Sequence, residues 1–415
     1  MGRTRITAAI LGMSLVVVTA VAFVVAGPGR ASGCPAPGAT SGQQAPAQPS
    51  ADVLPLADTG TGPLRSAAQW ASLFDQFWQG ERSTQEALSR SRDSWDHYEL
   101  SYSVDALTSA YLATGRREYV DEALSLTENV VASAVRSASL PNSQYHDAYL
   151  GWASKQESGE EVPLYESYFW RYGTRLLRVI HATPALAEDP ALQPRYARLV
   201  AFAERDVFEK WYRRGPDDNI YRSRTHMAAH WAFIAMNLAD ITTNPADRTL
   251  YRTVQARIDK ELHGQLIANP RDPGAYFWSD VWGSCRQPGQ DVSHGNGVIA
   301  YVADAHDQGG AWSDADVARF VRTLADVVWP TEGPGSAFVD GSGEGNGWFS
   351  DGFVKLGRYD AALQRRLETH QPANDQFYAN GALNAAILLC HGSAGESQPT
   401  AVEPPPACTE NSSAG

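Results

Sequence analysis

The sequence predicts an all-α fold, an (α/α) toroid of about six helical hairpins, and three observations carry that prediction. Helical stretches that are apolar nearly all round alternate with more charged, amphipathic ones, the pattern of an inner helix layer wrapped by an outer one. Strand-like alternation of apolar and polar residues is scarce. The repeats are also unevenly spaced, whereas an open solenoid of helix pairs keeps a stricter period of about 34 residues.

Taken in order, residues 1–33 read as an export segment: Arg3 and Arg5 precede an apolar run from Ile6 to Gly27, followed by Pro-Gly-Arg-Ala-Ser-Gly-Cys. The run is long enough for a retained membrane anchor as well as for a cleaved signal, and Ala-Ser-Gly-Cys is similar to a lipoprotein cleavage box. Residues 34–62 are rich in Pro, Ala, Gly, Ser and Gln and form a spacer that cannot bury enough apolar surface to order. Residues 63–391 hold the toroid, and residues 392–415 form a low-complexity tail of the same character as the spacer. Within the toroid, YSVDALTSAYLATG pairs with RREYVDEALSLTENVV, and YESYFWRYGTRLLRVI with LQPRYARLVAFAERDVFEKW. WAFIAMNLADITTNP pairs with ADRTLYRTVQARIDKEL, VIAYVADAHDQGG with WSDADVARFVRTLADVV, DGFVKLGRYDAALQRRLE makes a shorter pair, and Phe377 begins the last inner helix.

The chain carries a net charge of −13, and the three arginines before Cys34 are the only charges there, so the remainder carries −16. That field excludes a nucleic-acid partner, which needs a basic surface. It leaves room for an anionic substrate, because a few arginines in a cleft outweigh distant carboxylates screened by salt. The four cysteines contain no CxxC and imply no metal site, and no cofactor is expected. Outside the cytoplasm they are free to form disulfides, Cys390 with Cys408 or Cys285 with Cys390. Twelve Trp and seventeen Tyr exceed what a core needs and suit a glycan groove, where one ring edge stays wet.

Each inner helix is entered through a polar, aromatic head: residues 95–102, 165–172, 221–231, 291–297, 341–352 and 374–381. In a toroid these N-termini gather at one mouth, walled by the long loops near 138–164, 266–292 and 330–349. In the third head, Arg222, His226 and His230 share one helix face, which makes His226 a proton-transfer candidate and Arg222 or Arg224 a carboxylate clamp. His294 and Asn296 lie between glycines in the fourth head, and a third metal ligand for the His226/His230 pair exists only if His294 supplies it. Tyr98, Glu99, Trp170, Trp231, Glu344, Asn346 and Trp348 complete the expected substrate-binding set.

The export segment, the inner-helix heads and the helix opening on Arg224-Thr225-His226 resemble the α/α-toroid polysaccharide lyases that act on alginate and heparinoids. The resemblance implies β-elimination across C4–C5 of a uronate in a polysaccharide substrate, with His226 as base, Arg224 or Asn296 neutralising the carboxylate, and Tyr276 as the tyrosine of the reaction. His294 joins that catalytic set. Three other readings share the aromatic mouth. A toroid glycoside hydrolase needs a carboxylate pair, drawn from Glu99, Glu166, Asp280, Asp291, Glu344 and Asp351. An epimerase and a non-catalytic glycan-binding protein, held to a membrane or cell wall through the N-terminus, are the others.

Overall fold

The computed structural model describes residues 63–345, 348–371 and 374–393. The expected export segment, the spacer, nearly all of the tail, Cys34, Cys408 and Asn346 lie outside the described residues. No helix among the described residues is long and apolar enough to cross a membrane.

The first helices are α1 (Ala67–Ser89), α2 (Ser94–Thr114) and α3 (Arg117–Ser133), followed by α4 (Pro163–Ala182) and α5 (Gln193–Phe202), which continues through a π-helical turn at Ala203–Glu209. Then come α6 (Thr225–Ile241), α7 (Pro245–Gln265), α8 (Val292–Asp307) and α9 (Asp314–Arg322). A 3₁₀ segment, Phe353–Arg358, precedes α10 (Ala361–Leu367) and α11 (Asp375–Ser393). Burial separates two layers: 15 of 17 residues are buried in α6 against 7 of 21 in α7. A helix buried on all sides needs neighbours all round, and one with a single apolar stripe needs only one.

The inner ring runs α2, α4, α6, α8, the 3₁₀ segment and α11, each packing on the next, and α11 closes on α2. Outside it, α3 covers α2, α7 covers α6, α9 covers α8 and α10 covers the 3₁₀ segment. The sixth pair is split between distant parts of the chain: α1 packs on α11 and α2 and seals the seam. The fifth inner element is a single short 3₁₀ segment within the stretch expected to form a shorter pair, and Gly352 and Gly357 bring the backbone there so close to neighbours that a side chain at either position has no room. All six heads precede or open inner elements, so every outer-to-inner connection lies at one end of the ring. Three two-stranded ladders stiffen those connections: Val135–Arg136 with Leu150–Gly151, Ala153–Ser154 with Glu160–Glu161, and Ile267–Ala268 with Tyr276–Phe277.

The ring is not filled by hydrocarbon alone. Asp105 on α2 accepts from Lys355 Nζ at 2.9 Å, Arg175 on α4 at 3.0 Å, and Gln376 and Asn380 on α11 at 2.7 and 3.1 Å. Arg175 also reaches Asp304 on α8 at 3.0 Å, and Arg171 donates to Asp351 at 2.7 Å. These groups are all buried. A buried charge survives only when it is paired and hydrogen-bonded, and here five of the six inner elements each contribute to one ionic column.

Candidate active site

The head of α6 is pinned by the loop that leads to α8. Thr225 N–H donates to Asp280 O at 2.9 Å, Thr225 Oγ1 to Ser279 O at 2.6 Å, and Trp282 N–H to Ser223 O at 3.0 Å. This fixes His226 on the second residue of the helix and His230 one turn on, both facing the ring interior. His226 is buried, and neither of its ring nitrogens has a hydrogen-bond partner among the described residues. Burial, reinforced by the neighbouring His294, holds its pKa well below the usual imidazole value, so it is neutral at neutral pH.

The His294 ring lies against His226 with centroids 4.4 Å apart and the planes tilted by 35°, and His294 is itself exposed. Its Nδ1 lies 2.9 Å from both carboxylate oxygens of Asp291, which also accepts the His294 backbone N–H at 3.0 Å as the cap of α8. Burial raises the Asp291 pKa, but the bonds from His294 and Ser293 outweigh it and keep the carboxyl far below its ordinary value. An ionised Asp291 fixes the proton of His294 on Nδ1 and leaves Nε2 with a lone pair and no partner among the described residues. His294 thus lies between Asp291 and His226 in contact with both.

From His226 a row of rings crosses the mouth. His230 lies 5.9 Å from His226, Tyr168 4.2 Å from His230, and Tyr98 4.2 Å from Tyr168. Tyr102 donates to the Tyr98 hydroxyl at 3.1 Å, leaving the Tyr98 proton free, and the Tyr102 ring sits 6.3 Å from Trp348. Burial raises the Tyr98 pKa, so it stays protonated. Arg224, at the cap of α6, pairs with Asp280, and both are about one-third exposed. Arg222 is half-buried beside it and makes no ion pair among the described residues; burial lowers its pKa without discharging it. Among the described residues no group of three or more His, Cys, Asp or Glu side chains is arranged to hold a metal.

Several expected residues lie elsewhere. Tyr276 is buried against outer helix α9: its hydroxyl donates to Asp316 at 2.7 Å and its ring lies 5.0 Å from Phe320. Asn296 is consumed by structure, since its Nδ2 donates to Trp348 O at 2.9 Å and its Oδ1 accepts Gly352 and Phe353 N–H at 2.8 and 3.0 Å. Trp170 stacks on Phe202 of α5 and Trp231 meets Phe208, both on the outward sides of their helices. Glu99 and Glu344 are exposed. The glycine at 297 serves packing rather than a ligand: a Cβ there would sit 2.5 Å from His230 Nε2. Of the expected carboxylates, Glu166 is buried against Lys210 at 2.8 Å and Trp211 at 2.8 Å, and Asp351 is sealed by Arg171, Tyr172 and Gln376. Tyr168, Tyr102 and Trp95 were not among the expected site residues, although Tyr98 and Tyr102 share a helical face by spacing. Cys285 and Cys390 are both disulfide-bonded.

Two expected outcomes follow from these placements. Asn296→Ala strands two buried backbone donors, and the loss is expected to be about 2–4 kcal/mol by urea denaturation. His97, lowered to about 4 by burial, together with His226 and His230, also lowered chiefly by burial, makes the fold acid-sensitive. Each has a folded pKa below its unfolded value near 6.5, so its contribution is complete above that value and lost as pH falls towards the folded pKa. His97 alone accounts for roughly 3 kcal/mol between about pH 6.5 and 4. Asp375, pushed up to about 6 by burial, acts in the opposite direction. Thermal melts should therefore show a net fall through this window, and a flat profile would contradict the burial of the three rings.

No known family profile matches the chain, and no curated protein does. Three solved structures are similar to it at low identity. A polysaccharide lyase is 15% identical, covering 80% of this chain and 99% of its own, with a TM-score of 0.47. An inactive variant of an α-1,6-mannanase from Salegentibacter sp., solved with α-1,6-mannotetrose, is 11% identical over 79% of this chain and 99% of its own, with a TM-score of 0.43. A reducing-end xylose-releasing exo-oligoxylanase is 15% identical over 69% of this chain and 78% of its own, with a TM-score of 0.40.

Proposed function

We propose that the protein is an exported enzyme that cleaves a uronate-containing polysaccharide by β-elimination. The observation that carries this reading is the Asp291-held His294, whose Nε2 faces the mouth as a base while its partner His226 stays neutral beneath it. Abstraction of the C5 proton of a uronate requires that its carboxylate be neutralised, and Arg222, which makes no ion pair among the described residues, supplies positive charge beside the head of the helix, whereas Arg224 already pairs with Asp280. His294 Nε2 takes the proton, the C5–H electron pair becomes the C4–C5 double bond, and the C4–O4 bond breaks. The Tyr98 hydroxyl, already accepting from Tyr102, gives its proton to the leaving oxygen. The half-buried rings of Tyr98, Tyr102 and Trp348 serve as stacking surface for sugars.

Against hydrolysis, four of the six expected carboxylates are already paired: Glu166 and Asp351 in buried ion pairs, Asp280 with Arg224 and Asp291 with His294, which leaves Glu99 and Glu344 as the carboxylates a hydrolase would have to use. The test is incubation of the purified protein with anionic and neutral glycans, reading ultraviolet absorbance of unsaturated uronate and new reducing ends together. Absorbance rising with reducing ends supports elimination. Reducing ends alone would replace it with hydrolysis, and glycan binding without either signal would leave a binding protein.

A further inference from the structure

Most arginines in this acidic protein are paired with carboxylates or bonded to backbone carbonyls. Among the described residues, Arg92, Arg136, Lys155, Arg222, Arg271 and Arg286 have side chains with no hydrogen bond or ion pair, and all six lie in outer-to-inner connections. Only Lys260 on α7 and Arg65, which lies over the Trp70 ring, share that condition elsewhere. Among the described residues, most of the unpaired positive charge is thus gathered in the connections at the mouth end, against a net charge of −13 for the whole sequence.

Two of these cations flank a defined cavity. Arg92 and Lys155, with Asp93, Ala153, Ser154, Ser158 and Gly159, line a space of about 390 Å³ between the start of α2 and the 153–161 ladder. Both cations are exposed. The single carboxylate in the lining, Asp93, is turned to backbone: it accepts the N–H of Trp95 at 3.1 Å and of Lys155 at 3.4 Å. Its charge is partly spent on those donors, so the cavity presents a net positive wall.

This cavity continues the ring row. Trp95, two residues beyond Asp93, stacks on Tyr98 at 4.8 Å and meets Tyr165 at 5.1 Å. Tyr165 in turn reaches Glu157 of the 153–161 ladder at 3.3 Å. A contiguous row of ring contacts therefore runs from His294 through the buried His226, His230 and Tyr168 to the half-buried Tyr98 and Trp95, which lie beside the Arg92/Lys155 cavity.

We propose that the Arg92/Lys155 cavity is an outer subsite that holds an anionic group, carboxylate or sulfate, on a sugar unit several positions from the bond that breaks. The inference rests on the reading of the mouth as a glycan cleft. It assigns the enzyme to polyanionic chains long enough to reach from His294 to this cavity, with binding energy drawn from a unit that does not react.

The test compares wild type with the Arg92→Ala/Lys155→Ala double variant in direct binding to alginate, heparin and neutral xylan, at low and at high ionic strength. Both side chains are exposed, so the variant should fold, which circular dichroism verifies. The double variant is expected to bind polyanions roughly three- to tenfold more weakly at low salt, with the difference disappearing at high salt and xylan unaffected. A loss on both alginate and heparin identifies carboxylate recognition, and a loss on heparin alone identifies sulfate. Unchanged affinity for a polyanion that wild type binds would overturn the subsite, while His294→Ala abolishing the unsaturated product would leave the proposed reaction standing. If wild type binds neither polyanion, both proposals fall together.

Discussion

His294→Ala is expected to lower the rate of unsaturated-uronate formation by roughly 10²- to 10⁴-fold, the range of a general base, while glycan affinity stays within about threefold of wild type. The expectation rests on accessibility: His294 is exposed and its Nε2 is free, whereas the nitrogens of His226 are sealed beneath it. Asp291→Asn should give a smaller loss together with a displaced acidic limb in the pH–rate profile, because the amide neither fixes the Nδ1 proton nor stabilises the imidazolium. His226→Ala would remove the ring that His294 lies against and should act mainly through the position of His294. Full activity in His294→Ala, measured by initial rates at saturating glycan, would remove this residue from the chemistry.

The second large effect is on stability. Asp105→Asn is expected to cost about 3–5 kcal/mol, since it removes one of the two carboxylates shared by the buried Lys355 and Arg175, the one closer to Lys355, and leaves Asp304 alone to balance both. Lys355 already feels the burial, which lowers its pKa, while in Asp105 the pull of Lys355 and Arg175 overcomes the burial that would raise it. Urea denaturation should show a lower midpoint with an unchanged slope. Replacing the pair together, Asp105→Leu with Lys355→Met, should recover a large part of the loss, because the energetic penalty comes from the orphaned charge. A single variant as stable as wild type would mean that water reaches the column.

The layered fold was legible because its signal is long-range in sequence and simple in kind. Apolar-all-round α6 beside one-striped α7 can be read without any partner being known. The heads were legible as positions but only partly as roles, and helical geometry explains the difference. His226 and His230, four apart, share a face and were expected together, as they are. Trp170 lies two residues, about 200°, from Tyr168, so the one faces α5 when the other faces the mouth. Applying that rotation to residues 165–172 would have chosen Tyr168 and released Trp170. Tyr276 and Asn296 were out of reach of such reasoning. Their partners Asp316 and Gly352 are 40 and 56 residues away in sequence, and only the packed chain brings them near. The ionic column was hidden for the same reason: Asp105, Arg175 and Lys355 read singly as surface charges.

The split sixth pair has a consequence for how the molecule comes to exist. Asp105 is joined to Gln376 and Asn380 across 271 and 275 residues of sequence. The other junctions of the ring link neighbours in chain order, so they are available as each hairpin emerges. The α11–α2 junction is available only when almost the whole toroid has been made, and it must be reached at the entropic cost of the longest loop in the fold. Until then the ring stands open, with the apolar flank of α2 and one side of the ionic column exposed to water. Closure is therefore the step at which folding and aggregation compete, and α1, waiting beside α2, is the surface on which the last helix lands.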